Sequence, residues 1–306
     1  MQSLNNLIKK YLDYCQFSKE LSSKTVKAYR IDLAQFAAYC SAEVHWAERS
    51  FINDYIVELQ KSYKVRSTKR KIASIKSFFG YLEYEEIIEH NPFSKLRIRL
   101  NEPFLLPRTI PLATIETLLC TAYCEKGKCV EDGKQYQAIC RDIAVLELLF
   151  ASGMRVSELC SLTPESINLQ DGTIKIYGKG ARERLIQIGN ENVLAALRIY
   201  FNAFSAEIVE NGPFFLNRLN RQLSEQSVRF MINKYVAISG ITRHITPHMF
   251  RHSFATLLLE EDVDIRYIQQ FLGHSSIVTT QIYTHVTSKK QRDILSAKHP
   301  RNRIVL

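Results

Sequence analysis

The sequence is poor in the residues that punctuate or cross-link a chain. Its 306 residues include 11 glycines and 8 prolines, too few for a collagen-like or low-complexity protein. No stretch approaches the ~20 apolar residues that a membrane helix needs. The opening run MQSLNNLIKKYLDYC lacks the apolar core of an export signal. Seven cysteines, an odd number at irregular spacings, read as reduced cytosolic thiols and not as a disulfide framework. Cys120, Cys124, Cys129 and Cys140 offer four soft ligands, but only the first pair has the spacing of a zinc knuckle. Cys120 and Cys140 also fall in apolar, helix-like surroundings, where a free cysteine packs as a small hydrophobe. The expectation is no metal and no cofactor.

What the chain does have is core material and positive charge. Hydrophobic residues make up 46% and charged residues 24%, which excludes a disordered chain. Domains of about 150 residues would divide this length in two. Lysine and arginine number 41 against 31 acidic residues, a net charge of +10. Such an excess favours a polyanionic partner, nucleic acid being the commonest. The first 100 residues carry 17 basic and 11 acidic side chains, a net of +6 from a third of the chain.

The first 100 residues read as helix throughout. Leu4, Leu7, Ile8, Tyr11 and Leu12 recur at helical spacing. Ser22 or Ser23 can cap a second helix bearing Val26, Tyr29, Leu33, Phe36 and Ala37. A third starts near Ser50, and a fourth spans roughly 67–84 with Ile72, Ile75, Phe78, Phe79 and Leu82 on its apolar face. Asn91-Pro92 is read as the stop signal. The fourth helix starts in a basic run, Lys64, Arg66, Lys69, Arg70, Lys71 and Lys76. Such a run is often only a solvated face; the functional alternative is a helix set against DNA phosphates. Residues 101–111, with the prolines of NEPFLLPRTIP, read as a linker between a 1–100 domain and a 112–306 domain. In the second domain, helical patterns cover 115–124, 136–152 and 157–162, with EKGKCVEDGK a polar, exposed loop. TIKIYGKGARERLIQI interrupts them as a β-hairpin, with Ile174, Ile176, Leu185, Ile186 and Ile188 around a glycine-bearing turn. Helices resume from Asn192, and no internal repeat is present. The fold class is therefore mainly α with one small β-hairpin or sheet.

Four stretches place basic or hydroxyl side chains beside glycine or at helix ends: ASGMRVSEL, YGKGARER, TPHMFRHSFAT and LGHSSIVTTQIYTHV. Phosphoryl chemistry without a metal needs fixed cations on the non-bridging oxygens. The planar arginine fork suits that task and keeps its charge. His248 and Arg251 stand three apart after Pro247, and Arg155 and Glu158 have the same spacing, so Glu158 could orient Arg155. Taken singly, each has an ordinary explanation: a surface arginine, a first-turn histidine, a turn lysine, one tyrosine of 15. Those explanations do not produce the joint order and spacing.

Together these stretches resemble the tyrosine recombinases, or phage integrases, and most closely their Xer branch. LSSKTVKAYRIDLAQF, RKIASIKSFFGYL, NPF and HSFATLLLEEDVDIRYIQQFLGHSSIVTTQIYTHV carry the likeness, which covers nearly all of 141–300, and ILSAKHPR resembles the Xer tail. The resemblance implies a helical, SAM-like core-binding domain followed by a mixed, mostly helical catalytic domain. It implies that Arg155 and Arg251 clamp the scissile phosphate and that His248 transfers a proton. His274 would donate to a non-bridging oxygen, Lys179 would protonate the leaving 5′ oxygen, and Tyr283 would be the nucleophile. The product is a covalent 3′-phosphotyrosine that conserves the bond energy, so neither ATP nor metal is needed. The acidic cluster Glu260, Glu261, Asp262 and Asp264 is then a solvated turn, with Asp262 in the left-handed conformation where the family has glycine. The implied partner is double-stranded DNA with paired recombination sites. The implied assembly is a cytoplasmic tetramer of this chain, alone or with a related recombinase. Its C-terminal tail, with Ile294, Leu295 and Ala297, would dock on a neighbour. Chromosome or plasmid dimer resolution and mobile-element integration both fit. Two departures stand beside the likeness: 125–135 is longer than in typical Xer proteins, and the helical pattern starts with no room for an arm-binding domain. The alternatives are a catalytically idle DNA clamp of the same architecture and a type IB topoisomerase-like swivelase.

Overall fold

The computed structural model describes residues 3–40, 45–101, 107–131, 133–177 and 183–273. The chain divides into two compact units, Met1–Phe104 and Leu105–Leu306.

The first unit is helical. Its elements are α1 (Leu4–Asp13), a π-helical turn (Tyr14–Ser18), α2 (Ser23–Cys40), α3 (Arg49–Ser62), α4 (Val65–Tyr84) and a 3-10 turn (Pro92–Lys95). Ser3 caps α1. Ser22 opens α2, its hydroxyl accepting from the Thr25 amide at 3.2 Å. The core gathers the apolar stripes, with Tyr11, Leu33, Phe36, Phe78, Phe79 and Leu82 fully enclosed. Helix α4 ends at Tyr84, seven residues before Asn91. Asn91-Pro92 is thus a start and not a stop: the Asn91 side chain accepts from the Phe93 amide at 3.0 Å and caps the 3-10 turn.

In the second unit, α5 (Leu112–Gly127) and α6 (Lys134–Ser152) are followed by the short α7 (Val156–Cys160). Helix α5 takes in the first residues of EKGKCVEDGK, so that segment is only partly loop. A three-stranded antiparallel sheet comes next, β1 (Ile167–Asn168), β2 (Thr173–Tyr177) and β3 (Glu183–Gln187), in that order. Then come α8 (Glu191–Asn211), α9 (Glu225–Ile238), α10 (Pro247–Glu260) and α11 (Ile265–Leu272). Register pairs Ile174 with Ile186 and Ile176 with Arg184. One sheet face thus buries Ile174, Ile176 and Ile186, while Leu185 points to solvent. Helix α6 is the central element; Ala144, Val145, Leu146, Leu148 and Leu149 are fully buried in the main core of this unit. A satellite cluster of Ala255, Ile268 and Leu272 joins α10 to α11.

The turn at 260–264 takes the form the sequence predicted. Asp262 has φ +63°, and Asp264 caps α11 by accepting from the Arg266 amide at 2.8 Å. Of the cysteines weighed as ligands, Cys140 is buried, but Cys120 and Cys124 are exposed and Cys129 is half-buried. Cys120 therefore does not pack as a core residue; it faces outward from α5. No metal-binding group of three or more ligands occurs among the described residues. No helix among them is long and apolar enough to cross a membrane.

A candidate active site in the second unit

The site forms where three helix ends meet strand β3. Helix α6 ends on Gly153, which adopts φ +58°. A side chain there would not fit, because a Cβ would lie 2.4 Å from the Phe254 ring. The left-handed turn reverses the chain so that Arg155, extended at φ −70° and ψ 146°, opens α7.

Glu158 organises the next layer. One carboxylate oxygen accepts the Arg155 backbone N–H at 2.8 Å. The other accepts Arg155 Nη1 at 2.8 Å. Strand β3 brings a second guanidinium to the same carboxylate: Arg184 Nη1 donates at 3.0 Å and Nη2 at 2.7 Å, a bidentate pair. Burial alone would push the Glu158 carboxyl upward. The Arg184 hydrogen bonds, and those from Arg155, outweigh it and bring the pKa down to about 2. Glu158 is therefore an anion at any working pH. Arg155 keeps 38% of its side chain exposed, so the guanidinium that Glu158 orients still reaches solvent.

Helix α10 supplies the second arginine. Thr246 is extended and Pro247 stands in the first turn, which fixes the start of the helix. Arg251 is only 4% exposed, and a buried cation must find acceptors. Its Nη1 donates to the Gly153 carbonyl at 2.9 Å and its Nη2 to the Leu272 carbonyl at 2.7 Å. Both oxygens lie at the C-terminal ends of helices, α6 and α11, where the dipole is negative and carbonyls lack helical partners. Two helix-end carbonyls thus help to hold the buried guanidinium. Arg184 Nε likewise donates to the Phe271 carbonyl at 3.0 Å, so two arginines cap one short helix.

His248 lies one turn before Arg251 and is exposed. Loss of hydration, then Arg251, Arg229 and Arg155, hold its pKa below the ordinary histidine value, with Glu225 opposing. His248 shares α10 with Arg251, whose Nη1 bonds the Gly153 carbonyl two residues before Arg155, so the three residues belong to one neighbourhood. One turn on, burial, His248 and Arg251 lower His252 to about 4.

Four of the residues named from sequence, Arg155, Glu158, His248 and Arg251, are therefore brought together. Lys179, His274 and Tyr283 lie outside the described residues, as does the tail with Ile294, Leu295 and Ala297. Arg184 was missed, although it stands in the quoted YGKGARER. The available signal was an arginine at an inward position of a strand, in phase with Ile186.

In the first unit, Lys64, Arg66, Lys69, Arg70 and Lys76 are exposed along α4 and its N-cap. Lys71 is not on that surface. It is 4% exposed, its ammonium pairs with buried Asp32 at 3.2 Å, and it also meets Gln35 and lies 4.5 Å over the Tyr63 ring. The helical period turns Lys71 inward with Ile72 and Ile75, whereas Arg70 reaches Asp32 from outside.

Comparison with known proteins supplies the family. The phage integrase family model matches residues 129–290, and the phage integrase N-terminal SAM-like domain matches residues 8–86. The chain belongs to the phage integrase family of tyrosine recombinases. It is 53% identical to a tyrosine recombinase of Agathobacter rectalis over 98% of both chains. It is 35% identical to the tyrosine recombinase XerD of Pseudomonas putida, over 96% of this chain and 97% of that one. Among solved structures, it superposes on XerH bound to its palindromic difH substrate in a post-cleavage complex. There the TM-score is 0.76 at 20% identity, over 96% of this chain and 84% of that one. A lambda integrase dimer bound to a core site gives 0.69 at 17% identity, over 92% and 77%. At these identities the two structures speak for the fold.

Proposed function

We propose that this chain is an Xer-like, site-specific recombinase that cuts and rejoins paired sites in double-stranded DNA through a covalent 3′-phosphotyrosine. The observation that carries the reading is the convergence of Arg155, His248 and Arg251 around helix ends, with Glu158 holding Arg155. Preorganised guanidiniums stabilise charge that develops on a phosphate in the transition state. A histidine kept largely neutral beside them can accept and return a proton. Tyr283 is the proposed nucleophile, Lys179 the acid for the leaving 5′ oxygen, and His274 a donor to the phosphate. The phosphotyrosine bond stores the energy of the broken phosphodiester, so rejoining needs neither ATP nor metal. Basic α4, less Lys71, would follow the DNA backbone. The assembly in this reading is a tetramer in the cytoplasm, tied together by the C-terminal tails.

The test uses a duplex selected from a random library for binding to the wild-type chain, nicked so that cleavage is trapped. Wild type should form a covalent protein–DNA adduct in the presence of EDTA. Tyr283→Phe should bind the duplex with unchanged affinity and form no adduct. An adduct formed by Tyr283→Phe removes that residue from the role, and cleavage that depends on added Mg²⁺ contradicts the metal-free reaction.

A further inference from the structure

Arg184 is placed in the site by its contacts and has no part in the chemistry just described. Its side chain is about one-tenth exposed and spends its fork on two different elements. Nη1 and Nη2 grip Glu158, and Nε reaches back to the Phe271 carbonyl in the last turn of α11. The next residue but one, Gly273, turns left-handed at φ +63°, and a Cβ on it would lie 2.9 Å from Arg184 Cδ and Nη1. Backbone and guanidinium are therefore in contact at the point where the chain leaves α11 toward His274.

We propose that Arg184 is a positioning residue that sets two halves of the site at once. Through Glu158 it fixes Arg155, and through the Phe271 carbonyl it fixes the end of α11. Helix α11 has eight residues, too few to be stable alone. Its terminal carbonyls are capped from outside, Phe271 by Arg184 and Leu272 by Arg251. Arg184 and Arg251 thus both hold the last turn of α11. Lysine cannot replace Arg184, because one ammonium cannot span a bidentate carboxylate and a separate carbonyl. The proposal rests on the recombinase reading for its effect on rate, and on hydrogen bonding alone for its effect on α11.

Two measurements on the full-length protein test it. With the trapped duplex above, Arg184→Ala and Arg184→Lys should bind within about threefold of wild type. Each should form adduct roughly 10- to 100-fold more slowly, the loss typical of misplaced groups. In hydrogen exchange, both variants should lose protection in 265–273 while α6 and α8 keep theirs. An adduct rate within twofold of wild type overturns the proposal, as does a loss that falls equally on binding and on the protection of α6. If wild type itself forms no adduct, the recombinase reading fails separately. Exchange then decides: unchanged protection of α11 in Arg184→Ala overturns the proposal, and selective loss upholds it.

Discussion

Arg155 and Arg251 reach one site by opposite routes. Arg155 is half-exposed and held by a carboxylate; Arg251 is buried and held by the carbonyl ends of two helices. The i,i+3 spacing in the sequence predicted the Arg155–Glu158 contact, because both lie within one helical turn. It could not predict the Arg184–Glu158 pair, which depends on how β3 packs beside α7. Nor could it separate Lys71 from its neighbours: a run of basic residues looks alike until the helical phase is set against the core. At this scale the lowered His252 has a consequence for pH. Its folded pKa of about 4 lies below the 6.5 of a free histidine, so the unfolded chain takes up the proton first. Stability is fully present above about pH 6.5 and falls as pH drops toward 4, by a few kcal/mol at most. Urea midpoints at pH 8, 6 and 4.5 should decline for wild type and stay flatter for His252→Gln.

Among the elements, the long amphipathic helices were legible because their apolar periodicity is strong. The hairpin was legible from its β-rich flanks. The two-residue β1 was not, since Ile167–Asn168 is too short to show a period and pairs only because β2 is beside it. The end of α4 at Tyr84 was legible, but Asn91-Pro92 was read as its stop when it opens the next turn, because Asn-Pro is as good a beginning as an end; Glu86, at φ +56° two residues after Tyr84, marks the actual break. Cys120 was read as inward from its apolar neighbours, yet Leu118 and Ala122 take the buried positions of α5 and turn it out. Gly153 is the element boundary on which the site depends. Gly153→Ala adds roughly 1 kcal/mol for the left-handed backbone and a further 1–3 kcal/mol for the clash with Phe254. It should lower the melting temperature by several degrees. The displaced Gly153 carbonyl would also release Arg251, so adduct formation should fall more than stability alone explains.

On the scale of the whole molecule, charge and chemistry are assigned to different units. The first 100 residues hold +6 of the net +10, and the described site residues all lie beyond Leu105. A fragment starting at Leu105 should fold, because among the described residues every buried member of its main core cluster comes from residue 110 or later. It should bind the selected duplex more weakly and with a shallower dependence of affinity on salt, since fewer phosphates are neutralised. Equal affinity and slope for fragment and full chain would show that the first unit does not grip DNA. The separation of the two cores has a meaning for descent as well as for stability. Among the described residues neither cluster takes a member from the other unit, so a genetic crossover falling in 101–109 would join two intact cores. Hybrids that take residues 1–100 from one relative and the remainder from another should therefore fold readily.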